Sequence, residues 1–323
     1  MEKCKILQEL AKHTNTVLSF PDRGPWGDSR YRGNCSGWIP AYFINKYNVR
    51  KMAEVFAGSG TSYDVCKDMG VRYIGIDLNP RPTRDGIITM DILDDTVELP
   101  DGFYDADMVF LHPPYPSIND VRYADAMWKD VDGTGKIRDI QEMSFDDGMK
   151  AVNHAVLRAY NAMPAGSYEV CLVGEIRSNG QYRSMMQNLI IPGELHQTFV
   201  KLQHNTVSGR RSYGNQGSRA LTGHEMIAVI RKPSGYEIAY VVPQKISRDI
   251  RDLHVATWKD VVIAAVRKLN NVCSLEAIYK EISGHKKAAD NPNWQAKVRQ
   301  TLQTLAASGK VRHVSRGQWA IAF

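Results

Sequence analysis

The chain has 323 residues, too long for one small domain and suited to two of about 100–200 residues each. Hydrophobic residues make up 43% and charged residues 24%, a globular balance that excludes a disordered, collagen-like or disulfide-stapled chain. The net charge of +6 is unevenly spread: residues 241–323 hold fourteen Lys and Arg against six Asp and Glu, and the rest holds 27 against 29.

In chain order, MAEVFAG (52–58) reads as a short apolar strand ending in glycine, and SYDVCKDMG (62–70) as a helix closed by Gly70. VRYIGIDL (71–78) is a second strand and ADMVFLH (106–112) a third. Residues 146–163 form an amphipathic helix with Val152, Ala155, Val156 and Ala159 on one face. YEVCLVGEI (168–176) and HEMIAVIRK (224–232) are further strands. Alternating helices and continuously apolar strands predict an open α/β sheet covered on both faces. Residues 116–145 and 203–222 are polar, poorly periodic and expected outside the core. The body is assigned to residues 1–240, a linker to 241–256 and a second domain to 257–323.

In that second domain, TWKDVVIAAVRKLN (257–270) is a helix, and SLEAIYKEISG (274–284) another, N-capped by Ser274. NPNWQAKVRQTLQTLAASG (291–309) is a third, stopped by Gly309. GKVRHVSRGQWAIAF (309–323) alternates about Arg316 and Gly317 as a hairpin. Three helices and a terminal hairpin predict a winged helix-turn-helix, with Trp258, Trp294 and Trp319 as core anchors. Its positive excess suggests a polyanion-binding module, the alternative being a merely soluble Lys-rich domain. MEKCKILQELAKH lacks a signal-peptide core, and no run reaches the ~18 apolar residues of a membrane span. Five cysteines (4, 35, 66, 171, 273) form no C-x-x-C pair, so no metal site or disulfide framework and a reducing, cytoplasmic setting are expected.

The strongest local signal is Glu54-Val55-Phe56-Ala57-Gly58-Ser59-Gly60-Thr61, a strand entering a glycine turn and then a helix. Gly58 and Gly60 let the backbone approach a ligand at the strand's carboxyl end. Tyr63 stands where a dinucleotide fingerprint wants a third glycine, which weakens a pyrophosphate reading. Asp77, seventeen residues after Gly60, ends the second strand where a carboxylate can accept from both ribose hydroxyls of an adenosine cofactor. The alternative is a structural turn with a surface aspartate.

FAGSGT followed by YIGIDLNP resembles motif I and its neighbour in S-adenosylmethionine-dependent DNA amino-methyltransferases. YRGNCSGWIPAYFINKY (31–47) resembles their motif X, and ADMVFLHPPY their motif IV. The resemblance implies a Rossmann-like methyltransferase sheet and S-adenosyl-L-methionine as cofactor. It implies that Phe56, Gly58, Ser59, Gly60 and Thr61 line the cofactor, that Asp77 binds its ribose, that Asp91 and Ile92 lie near its adenine, and that Asn34 and Ser36 meet its methionine end. It also implies catalytic roles for His112, Pro113, Pro114 and Tyr115. The exocyclic amine of adenine or cytosine is a poor nucleophile because its lone pair is delocalised. Accepting both its hydrogens, at the side chain of 112 and the carbonyl of 113, favours a pyramidal nitrogen, while Tyr115 stacks on a base flipped from the helix. Two prolines fix φ and remove two N–H donors, giving a rigid loop. The family usually has Asp, Asn or Ser at the first position. His112 can accept only when neutral and in one tautomer.

The motif order X, I, IV resembles that of N6-adenine enzymes, with cytosine N4 the alternative. VGEIRSNGQYR (173–183) and TGHEMIAVIRKP (222–233) resemble later segments of bacterial and phage methylases. Arg210, Arg211, Tyr213 and Arg219 sit in a basic loop where the family places target-recognition elements. Arg122, Tyr123, Trp128 and Lys129 are expected to close over the flipped base. In the winged domain Asn293, Gln295, Lys297 and Arg299 open or face the third helix, and Arg312 and Arg316 lie on the wing. That domain resembles modules attached to restriction–modification proteins, which bind DNA or protein. Double-stranded DNA is thus the expected partner, with a cognate restriction nuclease in prospect. The rivals are an RNA base, a protein glutamine amide, or a DNA-binding regulator with a degenerate body.

Overall fold

The computed structural model describes every residue except 32, 118–137, 179–180, 205–219, 221, 236–238, 245, 248, 251–255, 271 and 323. The described chain divides into two compact units, Met1–Pro243 and Gln244–Phe323.

The first unit contains, in order, α1 (Lys3–Leu10), β1 (Val17–Leu18), α2 (Trp38–Lys46), β2 (Lys51–Val55), α3 (Thr61–Met69), β3 (Arg72–Asp77), β4 (Ile87–Thr89) and β5 (Met108–Leu111). It continues with α4 (Phe145–Ala162), β6 (Tyr168–Val173), β7 (Glu175–Ser178), β8 (Gln181–Ser184), β9 (Ile191–Pro192), β10 (Glu194–Leu202), β11 (His224–Arg231) and β12 (Tyr240–Val241). Continuously apolar strands need cover on both faces, and here they have it. Val109, Leu111 and Cys171 point into one core with Val152, Ala155, Val156 and Ala159 of α4. Met52, Met108, Phe110 and Leu172 point into the other, under Ile39 and Phe43 of α2 and Val65 and Met69 of α3. Local chemistry sets the helix limits. Ser144 caps α4 by accepting from the Asp147 amide, and Lys232 Nζ donates to the Tyr160, Asn161 and Met163 carbonyls at its other end, at 3.0, 2.9 and 2.7 Å.

The main sheet has the order β1-β10-β11-β6-β5-β2-β3-β4. Strands β6, β5, β2, β3 and β4 run parallel, whereas β11 is antiparallel to both β6 and β10. The carboxyl ends of β3, β2, β5, β6 and β10 therefore share one edge with the amino end of β11. This is a Rossmann-like sheet, mostly parallel and covered by helices on both faces, as the sequence leads one to expect. Ligands of open α/β sheets bind at that edge.

Three expectations need correction. Strands β1, β4 and β10 of the main sheet were not anticipated: β1 has two residues, β4 has three, and β10 alternates weakly, with Phe199 its one buried side chain. The strand expected over 168–176 breaks at Gly174, where an added Cβ would lie 2.4 Å from the Tyr115 ring. Ile140, in a stretch expected outside the core, is 3% exposed within it.

The second unit comprises α5 (Trp258–Lys268), β13 (Cys273–Ser274), α6 (Leu275–Ile282), α7 (Lys286–Ala289), α8 (Trp294–Ala307), β14 (Val311–Ser315) and β15 (Gln318–Ile321). A capping box between Thr257 and Asp260 starts α5, and the Ser274 hydroxyl accepts from the Ala277 amide at the start of α6. Val262, Ile278, Val298, Leu302 and Trp319 form its core, with Trp258 and Trp294 packed against it. The strands pair as β13-β15-β14, and the hairpin turns at Gly317, whose φ is 73°. The short helix α7 had no counterpart in the sequence reading.

Among the described residues no helix is long and apolar enough to cross a membrane. Phe110 lies at the centre of the sheet, 1% exposed. Phe110→Ala should lower stability by about 3–5 kcal/mol, measured by urea denaturation of the full chain. A loss under about 1 kcal/mol would show that β5 is not the packed centre.

Candidate active site at the carboxyl edge

The chain leaves β2 through a turn that ordinary side chains avoid. Gly58 and Gly60 take φ values of 51° and 77°, and Phe56 is left-handed at 64°. For a phenylalanine that conformation costs on the order of 1–3 kcal/mol, a strain that gathers at functional sites. Asp77, at the end of the neighbouring β3, holds the turn: its Oδ2 accepts from the Gly58 amide at 2.7 Å and its Oδ1 from the Asn79 amide at 2.8 Å. Each oxygen keeps a second lone pair. Burial pushes the Asp77 carboxyl up, against these two amide bonds. Tyr31, which the sequence reading passed over, stands over Gly58, 3.3 Å from where a Cβ would be. Burial, with Asp77 and Asp139 nearby, raises its hydroxyl pKa. Tyr63 takes the place of the third glycine and packs edge-on against Tyr73, ring centroids 5.6 Å apart.

The segment before α2 is stitched onto this turn. Asn34 Oδ1 accepts from the Thr61 hydroxyl, and its Nδ2 donates to the Asp28 carbonyl at 2.9 Å. The Gly27 amide reaches Asp64 at 3.0 Å, and the Asp28 amide reaches the Ser59 hydroxyl at 3.4 Å. Asn34, Ser59 and Thr61 are thus brought together. Ser36 is 8% exposed, and its hydroxyl has no hydrogen-bond partner among the described residues. Asp91 lies past the end of β4, its carboxylate paired with Arg138 and capping the Leu93 amide, while the Ile92 side chain is buried in the core.

His112-Pro113-Pro114-Tyr115 follows β5 directly. Val55 pairs with Leu111, so Phe56 and His112 emerge side by side from adjacent strands. Tyr115 is buried, its ring against Gly174, its hydroxyl donating to Glu225 Oε1 and lying 3.5 Å from His112 Nε2. Glu225 Oε1 is itself 4.0 Å from His112 Nε2. Its other oxygen is paired with Lys201 Nζ, directly across the β10–β11 ladder. Burial holds the His112 imidazole down to about 4, Lys201 adding to the effect and Glu225 opposing it. Although burial alone would favour the neutral acid, Lys201, His112 and Tyr115 hold Glu225 down to about 2. The site therefore pairs a neutral imidazole with a charged carboxylate. Lys201 and Glu225 escaped the sequence reading. The available signal was a charged residue at the start of an otherwise apolar strand.

Arg122, Tyr123, Trp128, Lys129, Arg210, Arg211, Tyr213 and Arg219 lie outside the described residues. In the second unit Gln295 and Arg299 are exposed on α8, and Lys297 is half-buried. Arg299 donates to the Tyr279 hydroxyl at 2.8 Å, and Lys297 to Gln300 at 3.0 Å. Arg312 on β14 and Arg316 in the hairpin turn are exposed.

The chain matches no protein-family model and no curated protein sequence. Among solved structures it is similar to TrmN from Thermus thermophilus, at 14% identity over 62% of this chain with a TM-score of 0.36. The match spans half (50%) of TrmN's length. It is also similar to a SAM-dependent methyltransferase from Archaeoglobus fulgidus (11% identity, 63% of this chain and 96% of that one, TM-score 0.36). A third likeness is to the N-methyltransferase NodS from Bradyrhizobium japonicum WM9 with S-adenosyl-L-homocysteine (12%, 71% and 99%, TM-score 0.34). These scores are low, and the fold assignment rests on this chain's own strand order.

Burial keeps native His112 neutral down to about pH 4, whereas an exposed histidine titrates near 6.5. Between those values the unfolded chain binds the additional proton, so this contribution to stability is present above pH 6.5 and lost on acidification. The loss should total about 3 kcal/mol. Urea denaturation at several pH values should show this acid arm in the wild type and its disappearance in His112→Asn. Parallel curves would mean that His112 is not held neutral.

Proposed function

We infer that the chain is an S-adenosylmethionine-dependent methyltransferase acting on the exocyclic N6 amine of an adenine flipped out of double-stranded DNA. The carrying observation is the neutral, buried His112 that opens the Pro-Pro loop beside the strained glycine turn. A protonated imidazole could not accept an amine hydrogen; this one is neutral at physiological pH, so His112 does the work that Asp, Asn or Ser does elsewhere. The Pro113 carbonyl takes the second hydrogen, and Tyr115 offers the base an aromatic face.

The residues present fit the cofactor. Asp77 retains lone pairs for ribose hydroxyls, and the Ser36 hydroxyl, without a partner among the described residues, suits with Asn34 the polar methionine end. Phe56, Gly58, Ser59, Gly60 and Thr61 would line it, with Asp91 and Ile92 toward the adenine. When bound, S-adenosylmethionine supplies an electrophilic methyl group on a sulfonium sulfur. This chain's residues expose the amine lone pair and hold the base still.

The second unit is proposed to be a winged helix that holds the duplex, α8 entering the major groove and the β14–β15 hairpin following the backbone. Its positive balance and the exposed Arg312 and Arg316 support a polyanion partner.

Incubation with methyl-labelled cofactor and duplex DNA, followed by digestion to nucleosides, tests the reaction. Label in N6-methyladenine is expected; label in N4-methylcytosine would move the reading to cytosine, and label only in RNA or protein would overturn it. His112→Ala should abolish transfer while cofactor affinity changes less than about threefold, because the side chain acts on the amine. Arg312→Ala and Arg316→Ala should each reduce the salt slope of DNA binding by roughly 0.9 for each phosphate that the arginine neutralises. An unchanged slope in both would point to a protein-binding module.

A further inference from the structure

We propose that the Lys201–Glu225 pair is a positioning device that, through the Tyr115 hydroxyl, fixes His112 as the tautomer with its proton on Nε2 and its lone pair on Nδ1. The inference rests on the methyl-transfer reading, in which His112 must accept a hydrogen.

Proton counting leads to this assignment. Glu225 is 7% exposed at its side chain, and each oxygen has a designated donor: Lys201 Nζ on Oε2 and the Tyr115 hydroxyl on Oε1. A tyrosine hydroxyl has a single proton, and here it goes to a carboxylate, the stronger acceptor. The Tyr115 oxygen then has only lone pairs left for His112 Nε2, 3.5 Å away. The Glu225 oxygen, 4.0 Å from the same nitrogen, is also purely an acceptor. Both groups facing Nε2 thus require a donor there. A neutral imidazole has one N–H, so Nδ1 is left bare as the acceptor for the substrate amine.

Pro113 and Pro114 remove the two nearest amide donors on the carboxyl side of His112. Among the described residues, the titratable groups facing the ring are Tyr115 from its own loop, Glu225 from β11 and Lys201 from β10. Glu225 and Lys201 touch His112 only through space or through Tyr115, so they position it and do not react.

Nitrogen-15 NMR of ring-labelled histidine in the full chain reads the tautomer without substrate. Wild type should show a protonated Nε2 and a bare Nδ1 for His112. Removing Glu225 alone would strand a buried ammonium and could unfold the chain, so the variant is Glu225→Gln with Lys201→Met. It should move both His112 nitrogen shifts toward a mixed tautomer. On DNA, kcat should fall by about tenfold or more with KM little changed, as for a group that acts only at the reacting centre. Restoring Lys201 and introducing Glu225→Asp should recover part of the shift and of the rate. A wild-type His112 protonated on Nδ1, or shifts unmoved in the double variant, overturns the inference. The labelled-methyl assay on wild type judges the functional reading separately, because the nitrogen shifts need neither cofactor nor DNA.

Discussion

A carboxylate withdrawn from water must be paired or give up its charge, and the architecture of this site follows from how Glu225 meets that demand. It lies at the amino end of the one strand of the main sheet, among the described residues, that runs against its neighbours. In an all-parallel arrangement the residue at that position would lie at the far edge. Reversing β11 places Glu225 beside the carboxyl ends of β5 and β6, and the tight β10–β11 pairing brings Lys201 opposite it. The ion pair then has an oxygen to spare for Tyr115. Removing either charge would leave the other stranded, at a cost of about 3–5 kcal/mol.

The other half of the edge is organised by backbone conformation. Phe56, Gly58 and Gly60 bend the chain sharply, and Asp77 holds the bend from the adjacent strand. The segment ahead of α2 is fastened to the same turn by Asn34, Asp28 and Gly27. Groups distant in sequence therefore meet at the neighbouring carboxyl ends of β2 and β5. The turn and the Pro-Pro loop, to which the sequence resemblance assigns cofactor and substrate, leave from two adjacent strand ends.

What the sequence made legible was what is local. The glycine turn, Asp77 and the Pro-Pro loop are each contained in a few consecutive residues, so the sequence displays them whole and a resemblance to known motifs implies their chemistry. The helices of the second unit announce themselves through Thr257, Ser274 and Gly309. Lys201 and Glu225 are different: their meeting depends on the register of a hairpin whose first strand buries one side chain, Phe199. Nothing in the alternation of 194–202 marks it as a strand. Tyr31 was hidden for the same reason, since its place over Gly58 depends on a non-local fold-back. The histidine at 112 was visible, but its charge state was not, because burial decides it.

Strand β11 is fastened at both ends by charge. Glu225 ties one end to Lys201 and Tyr115, and Lys232, immediately after the other end, ties it to three carbonyls at the terminus of α4. A slip of one residue would turn Glu225 to the opposite face and pull Lys232 off the helix together. The strand is in effect a gauge rod of fixed length, and only one alignment satisfies both fastenings. Alignment at the carboxyl edge is thereby set in part from the opposite edge of the sheet.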